Sequence, residues 1–343
     1  MAPQTGNSMA SALLQFVLLA AIIVAAGTVL TRCADGIAEV TGWGRLLIGS
    51  VLLAGATSLP ELTVDLTAIR LGLPDLAVGD LLGSSLMNLL ILAVLDLSHH
   101  SRGKMLSRAA AAHALSGTLS TALTATVGVG ILVSGRAPQL VFLGAHASTW
   151  VLALGYLLGL RMVFLDQRVA MRQAVDSGVP AGQLHPRNGL AKFVAGFVAA
   201  AVVILFVGPR MAEVAGTIAE ISGLGNSFVG TTFVAFSTSL PELVASLAAL
   251  RIGAFDLAVG NVFGSNAFNM LLFLPLDIAF PGVLLAHVNA SHVISVLTVV
   301  LATSVVIMGQ LYQQESRRRF LEPDALLVIA LIGFALFLIY ATS

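Results

Sequence analysis

The sequence predicts an all-α membrane protein of about ten transmembrane helices, built as two inverted five-helix repeats with a broken helix in each. Three observations predict it. Hydrophobic residues make up 57% of the 343 residues and charged residues 10%, more apolar and less charged than a soluble domain of ordinary usage. The segments beginning at Gly42 and Gly223 align with each other without a gap. Each copy carries Ser-Leu-Pro-Glu inside a hydrophobic run, at Ser58 to Glu61 and at Ser239 to Glu242.

A hydrocarbon core takes about 20 predominantly apolar residues per helix. Such stretches fall roughly at 9 to 31, 43 to 70, 74 to 97, 106 to 134, 139 to 163, 189 to 209, 225 to 250, 255 to 279, 288 to 313 and 323 to 341. The first has no basic run before it and is long for a signal-peptide core, so it reads as a retained span. A polar connection at about 166–188 divides a first repeat, 1–165, from a second, 189–343. Lys and Arg mark the cytoplasmic side. All but Arg70, Arg136 and Arg210 fall on the side of that connection, which places it in the cytoplasm and both termini outside a multi-pass protein of the cell membrane.

Seventeen basic and seventeen acidic residues cancel, which favours neither nucleic acid nor a strongly charged partner. The partners expected are small cations and membrane lipid. A single cysteine, Cys33, excludes an intramolecular disulfide.

Through Asp96 and Asp277, roughly 25 of about 55 aligned positions are identical, the mark of a duplicated unit. Five spans precede the connection and five follow it. An odd number makes the copies enter the membrane from opposite sides, the architecture of many secondary transporters. Pro60 and Pro241 each remove a helical hydrogen bond, which is expected to free carbonyls near Ala54 and Ala235. Irregular backbone at membrane depth is tolerated where it is packed in protein or lines a wet cavity, so free carbonyls beside a carboxylate suggest a cation site.

An ionisable side chain near the bilayer centre marks a functional site by default, and Glu61 and Glu242 qualify. Helical periodicity puts Thr57 and Thr238 one turn before them. Ser84 and Asn88 are four apart, as are Ser265 and Asn269, so each pair lines one face of the next span. Carboxylate, hydroxyl, amide and carbonyl oxygens, without nitrogen or sulfur ligands, suit hard cations such as Ca²⁺. Two carboxylates balance one Ca²⁺ or two Na⁺, so the ions compete, and competition at a site open alternately to either side is antiport. Without a cation the adjacent acids repel and one takes up a proton, which leaves H⁺ as a coupling ion.

Other polar residues have structural readings. Asp75 and Asp256 begin spans and suit the positive helix pole, whereas Arg70 and Arg251 end spans and suit the negative one. Asp96 and Asp277 lie near span ends as vestibule or interfacial groups. His113 and His146 have no metal-ligand spacing and are expected to bond between helices. Ser58 and Ser239, with the neighbouring hydroxyls, can also satisfy backbone freed by proline.

These residues resemble the cation/calcium exchanger superfamily, which includes the sodium/calcium exchangers. GATSLPE with GDLLGSSLMN, and FSTSLPE with GNVFGSNAFN, correspond to that family's paired alpha repeats. The resemblance implies ten helices, a central site at the broken helices, and first and sixth helices that slide across it. It also implies a ligand set of Glu61, Glu242, Asn88, Asn269, Ser84, Ser265, Ala54, Thr57, Ser58, Ala235, Thr238 and Ser239. Asp80 and Ser85 stand where the family usually has Asn, Ala56 and Ser237 where Gly is common, and Asp65 where a small residue is usual. These departures bear on selectivity and stoichiometry.

The function expected is Ca²⁺ export driven by Na⁺ entry, with H⁺ or another cation as substitute. A passive cation pathway and a transport-inactive homologue are the other classes. No enzyme is indicated, since no nucleophile and base pair, nucleotide loop or cofactor motif appears, and no cofactor is expected. Asp65 and Asp80 are expected to flank one outer passage as a vestibule or additional ion position, unless Asp65 pairs with Arg70 and Asp80 bonds between helices.

Overall fold

The computed structural model describes residues 9–98, 109–134, 140–176, 189–222, 235–311 and 323–342. The described residues are almost wholly helical. Helix α1 (Met9–Thr41) leads to a short α2 (Arg45–Ile48), a π-helical turn (Gly49–Leu53), α3 (Ala54–Thr57) and α4 (Leu59–Arg70). Then come α5 (Pro74–Ser98), α6 (Ala109–Ser134) and α7 (Ala147–Asp176). A two-stranded ribbon, β1 (Val141–Phe142) and β2 (Ala145–His146), enters α7. The second half holds α8 (Leu190–Ile221), α9 (Leu240–Arg251), α10 (Phe255–Ala279), α11 (His292–Leu311) and α12 (Pro323–Thr342).

Among the described residues, seven helices are long and apolar enough to cross a membrane, or up to eight if the bent pair Arg45–Thr57 and Leu59–Arg70 is one span. Ten were expected. The shortfall has two local sources: the described apolar part of α12 is short, Asp324–Leu338, and the span expected near 225 to 250 lies partly outside the described residues. Helix α7 also continues to Asp176, so the start of the expected connection is helical. Its later part, 177–188, lies outside the described residues.

Burial separates core helices from lipid-facing ones. The most apolar window of α10 is 83% buried and that of α5 72%, whereas α1 and α8 stand at 22% and 11%. An apolar stretch that stays exposed in the fold is at home in lipid, and the apolar windows of α1 and α8 are of that kind. They pack on each other, and each presents glycine to the broken helix of the opposite half. A Cβ on Gly27 would meet Val244 of α9 at 2.8 Å, and one on its repeat equivalent Gly208 would meet Pro60 of α4 at 2.6 Å.

The core element α10 approaches the first half still more closely. Gly260 and Gly264, four apart on one face, lie on the backbone of Leu46 and Ser50, at the junction of α2 with the π turn. Small residues spaced in this way let membrane helices meet backbone to backbone. A Cβ on Gly264 would stand 2.5 Å from the Ser50 carbonyl oxygen. Gly264→Ala should therefore lower stability by about 1–3 kcal/mol, read as a fall in melting temperature in detergent. Gly216→Ala, where a Cβ meets nothing within 4 Å, should be neutral or slightly stabilising.

Candidate cation site

Proline sets the site. Pro60 and Pro241 sit in the first turns of α4 and α9, where a missing N–H leaves no gap in the helix that begins there. They cannot donate to the turn before, and the chain breaks at Ser58 (φ −87°, ψ 7°) and Ser239 (φ −82°, ψ 5°). In the first half the two arms bend by 42°. Glu61 and Glu242 thereby occupy the first turns of helices that start inside the protein, where the positive helix pole favours a carboxylate.

The expectation of free carbonyls needs correction. Ala54 O accepts the Ser58 amide at 3.0 Å and the Thr57 hydroxyl at 3.2 Å, while Ala235 O accepts the Ser239 amide at 3.2 Å and the Thr238 hydroxyl at 2.8 Å. The threonines fold back onto the backbone that proline disrupts, and each carbonyl reaches further only by sharing.

The predicted residues converge, and they do so across the halves. Ser58 donates to Glu242 Oε1 at 3.4 Å. Thr57 lies 3.4 Å from both Asn261 Oδ1 and Ser265 Oγ. Thr238 donates to Asp80 Oδ1 at 3.4 Å, the repeat counterpart of the Thr57 to Asn261 contact. Thr57, Ser58, Glu61, Ser84, Asn88, Thr238, Ser239, Glu242, Ser265 and Asn269 are all buried.

Many of their polar atoms have no hydrogen-bond partner. Unpartnered and buried are Glu61 Oε2, Glu242 Oε2, Ser84 Oγ, Asn88 Oδ1, Ser239 Oγ and both polar atoms of Asn269. Orphaned buried polar groups are rare in folded proteins, and their concentration on acceptor oxygens fits a cation ligand set. Among the described residues, no three of His, Cys, Asp and Glu converge so as to hold a metal by themselves. Hydroxyl and amide oxygens must complete any coordination by Glu61 and Glu242.

Asn266 belongs to the same layer, and sequence reasoning missed it. It accepts from Asn88 Nδ2 at 2.9 Å and donates to the Ser85 carbonyl at 3.2 Å. Its repeat counterpart is Ser85, whose hydroxyl bonds its own helix at Leu81 O, 2.9 Å away. Asn88 is therefore held by an amide from the other half, while Asn269 has none. The departure at Ser85 was the readable signal.

Asp65 and Asp80 do not line an open vestibule in this structure. They are buried at 0% and 8% exposure, side by side, and Arg70 points to the surface. The other polar residues brace the fold. Asp277 accepts from the amides of His146 and Leu284, both at 2.7 Å, and from the Thr149 hydroxyl at 2.8 Å. Asp256 contacts His113 Nε2 at 3.0 Å and Asp75 contacts His292 Nε2 at 3.0 Å, so both reach beyond their own helices, and His113 bonds between helices as expected. His146 instead bonds locally, to Ser148 at 2.8 Å.

The family model for sodium/calcium exchanger protein matches residues 11–175 and 192–343. Inner membrane protein YrbG of Escherichia coli strain K12 is 33% identical over 236 residues, covering 67% of this chain and 68% of that protein. CaxA of Alkalimonas amylolytica, which carries an antiporter name, is 28% identical over 309 residues, covering 88% and 90%. The fold matches a structure of the sodium-calcium exchanger NCX_Mj with a TM-score of 0.69 at 19% identity, over 96% of this chain and 99% of that one.

The Ser85 and Asn266 asymmetry yields a test. Ser85→Asn should supply Asn269 with the amide partner that Asn88 already has. A buried hydrogen bond contributes about 1 kcal/mol, so the melting temperature of the purified protein should rise, and it should not rise in an Asn269→Ala background.

Proposed function

The chain belongs to the sodium/calcium exchanger protein family, a family of membrane exchangers rather than enzymes, and from that premise we propose that it exports Ca²⁺ in exchange for entering Na⁺ by alternating access. The proposed machine is a ten-helix membrane protein of two inverted five-helix repeats, 1–165 and 189–343, joined by a cytoplasmic connection. Both termini lie outside the cell membrane.

One observation carries this reading. The same buried acceptor positions, taken from both repeats, lack partners: Glu61 with Glu242, and Asn88 with Asn269. Such oxygens attract a hard cation, and two carboxylates match the charge of one Ca²⁺ or two Na⁺. Thr57, Thr238, Ser58, Ser239, Ser84 and Ser265 would complete the shell, with the Ala54 and Ala235 carbonyls contributing by their remaining lone pairs. Because each ion fills what the other vacates, binding is competitive and exchange follows. The structural neighbour's own experiments used Na⁺ with Sr²⁺, ions of the same hard class. CaxA carries an antiporter name without an ion in it, and H⁺ is the alternative coupling ion.

Uptake of ⁴⁵Ca²⁺ into liposomes under imposed Na⁺, K⁺ and H⁺ gradients tests the coupling. An outward Na⁺ gradient should drive uptake, whereas uptake driven by H⁺ alone would replace Na⁺ in the scheme. Glu61→Gln and Glu242→Gln should each slow exchange by at least about a hundredfold, since removing one partner of a buried charge set costs about 3–5 kcal/mol. Near-normal exchange in either variant would sink the site.

Orientation is tested separately. In a Cys33→Ala background, Ser343→Cys should react with an impermeant thiol reagent in intact cells and Gly178→Cys should not. The reverse labelling would invert the topology and the direction of transport drawn from it.

A further inference from the structure

The duplication places Asp65 and Asp80 in the first half where Ser246 and Asn261 stand in the second. The second-half pair is neutral and satisfied. Asn261 Nδ2 donates to Ser246 Oγ at 3.1 Å, and the Thr57 hydroxyl reaches Asn261 Oδ1 at 3.4 Å.

The first half repeats this arrangement with different chemistry. Thr238 donates to Asp80 Oδ1 at 3.4 Å, and the Asp65 carboxyl lies against that of Asp80. Both Asp65 oxygens and Asp80 Oδ2 have no partner, and Asp65 is wholly buried. Ionised carboxylates are acceptors only, so neither satisfies the other unless one of them holds a proton. Nor does a basic side chain serve: among the described residues no Lys or Arg is buried. Two like charges set together away from water require a proton, a cation or both.

We propose that Asp65, Asp80 and Thr238 hold an additional Na⁺ beside the Glu61 and Glu242 site, at a position without a counterpart in the second half. Four carboxyl oxygens and one hydroxyl fall short of the 6–8 oxygens that Ca²⁺ takes, so the position suits a monovalent hard cation, with a proton on one carboxyl completing the charge balance. Thr238 ties it to the central site, because its hydroxyl also bonds the Ala235 carbonyl at 2.8 Å at the break preceding Glu242. The repeat is thus asymmetric in charge, with two acids on one side of the centre and an amide and a hydroxyl on the other. The identity of the ion rests on the Na⁺/Ca²⁺ reading proposed above.

Binding of ²²Na⁺ to the purified protein, measured in detergent with and without saturating Ca²⁺, separates the two positions. Ca²⁺ should displace Na⁺ from Glu61 and Glu242 and leave a resistant fraction on the wild-type protein. Asp65→Ser with Asp80→Asn, which copies the Ser246 and Asn261 pair, should lose that fraction. Complete displacement by Ca²⁺ from the wild type overturns the additional position, and this arm needs no variant to fold. A resistant fraction equal in wild type and variant overturns it as well. If Ca²⁺ displaces no Na⁺ but the variant still loses part of it, the additional position stands and the shared central site fails.

Discussion

Carboxylates placed at membrane depth without basic partners set the terms for the rest of this molecule. Glu61, Glu242, Asp65 and Asp80 are all buried, and no Lys or Arg is buried among the described residues. The idealised cost of moving one such charge from water into a medium of low dielectric is on the order of 20 kcal/mol, and the effective cost after relaxation is still several. The fold meets part of that cost with fixed dipoles. Prolines end one helical arm and begin another inside the protein, so that Glu61 and Glu242 fall at positive helix poles. Serine, threonine and asparagine side chains add directed dipoles around them. None of these carries a full charge, so neutrality at the centre requires protons or bound cations, and a site that needs either is suited to exchanging them.

Placing those dipoles demands close contact between the halves. The arm before Glu61 lies on α10 through Gly260 and Gly264, and Gly27 and Gly208 bring α1 and α8 against the broken helices of the opposite half. Because Ser58 reaches Glu242 and Thr238 reaches Asp80, neither repeat builds a site alone. The π turn at Gly49–Leu53 sits where this packing meets the arm that leads to Thr57. Such turns recur at functional sites, and here one rotates the face of the arm just before the break.

The sequence showed the duplication, the breaks and the acidic pair, because each leaves a signature in residue type and spacing. Pro60 and Pro241 mark the interruption to within two residues, since the missing N–H acts locally. Hydrogen-bond direction was not readable. Proline implied released carbonyls at Ala54 and Ala235, but the neighbouring threonines can rotate to occupy them, and rotamer choice depends on packing. The Asn88 to Asn266 link joins residues far apart in the chain, so no local pattern encodes it, although the mismatch between Ser85 and Asn266 marked the place. The described spans fall short of ten because the described apolar part of α12 is short and the span expected near 225 to 250 is only partly described.

Duplicated halves begin with equal sites, and divergence shows which inequalities a protein can tolerate. The central acids have stayed paired across the repeats, as expected if one ion must be bound by both halves at once. Outside that centre the copies differ in charge: Asp65 and Asp80 face Ser246 and Asn261 across the pseudo-symmetry. A buried pair of acids lowers the energy of a cation beside it, and an amide with a hydroxyl does so far less. The two flanks of the centre are therefore electrostatically unequal even where their backbones correspond. Under the proposed exchange, that inequality would make cation affinity differ between the two flanks, while the direction of net transport follows the ion gradients.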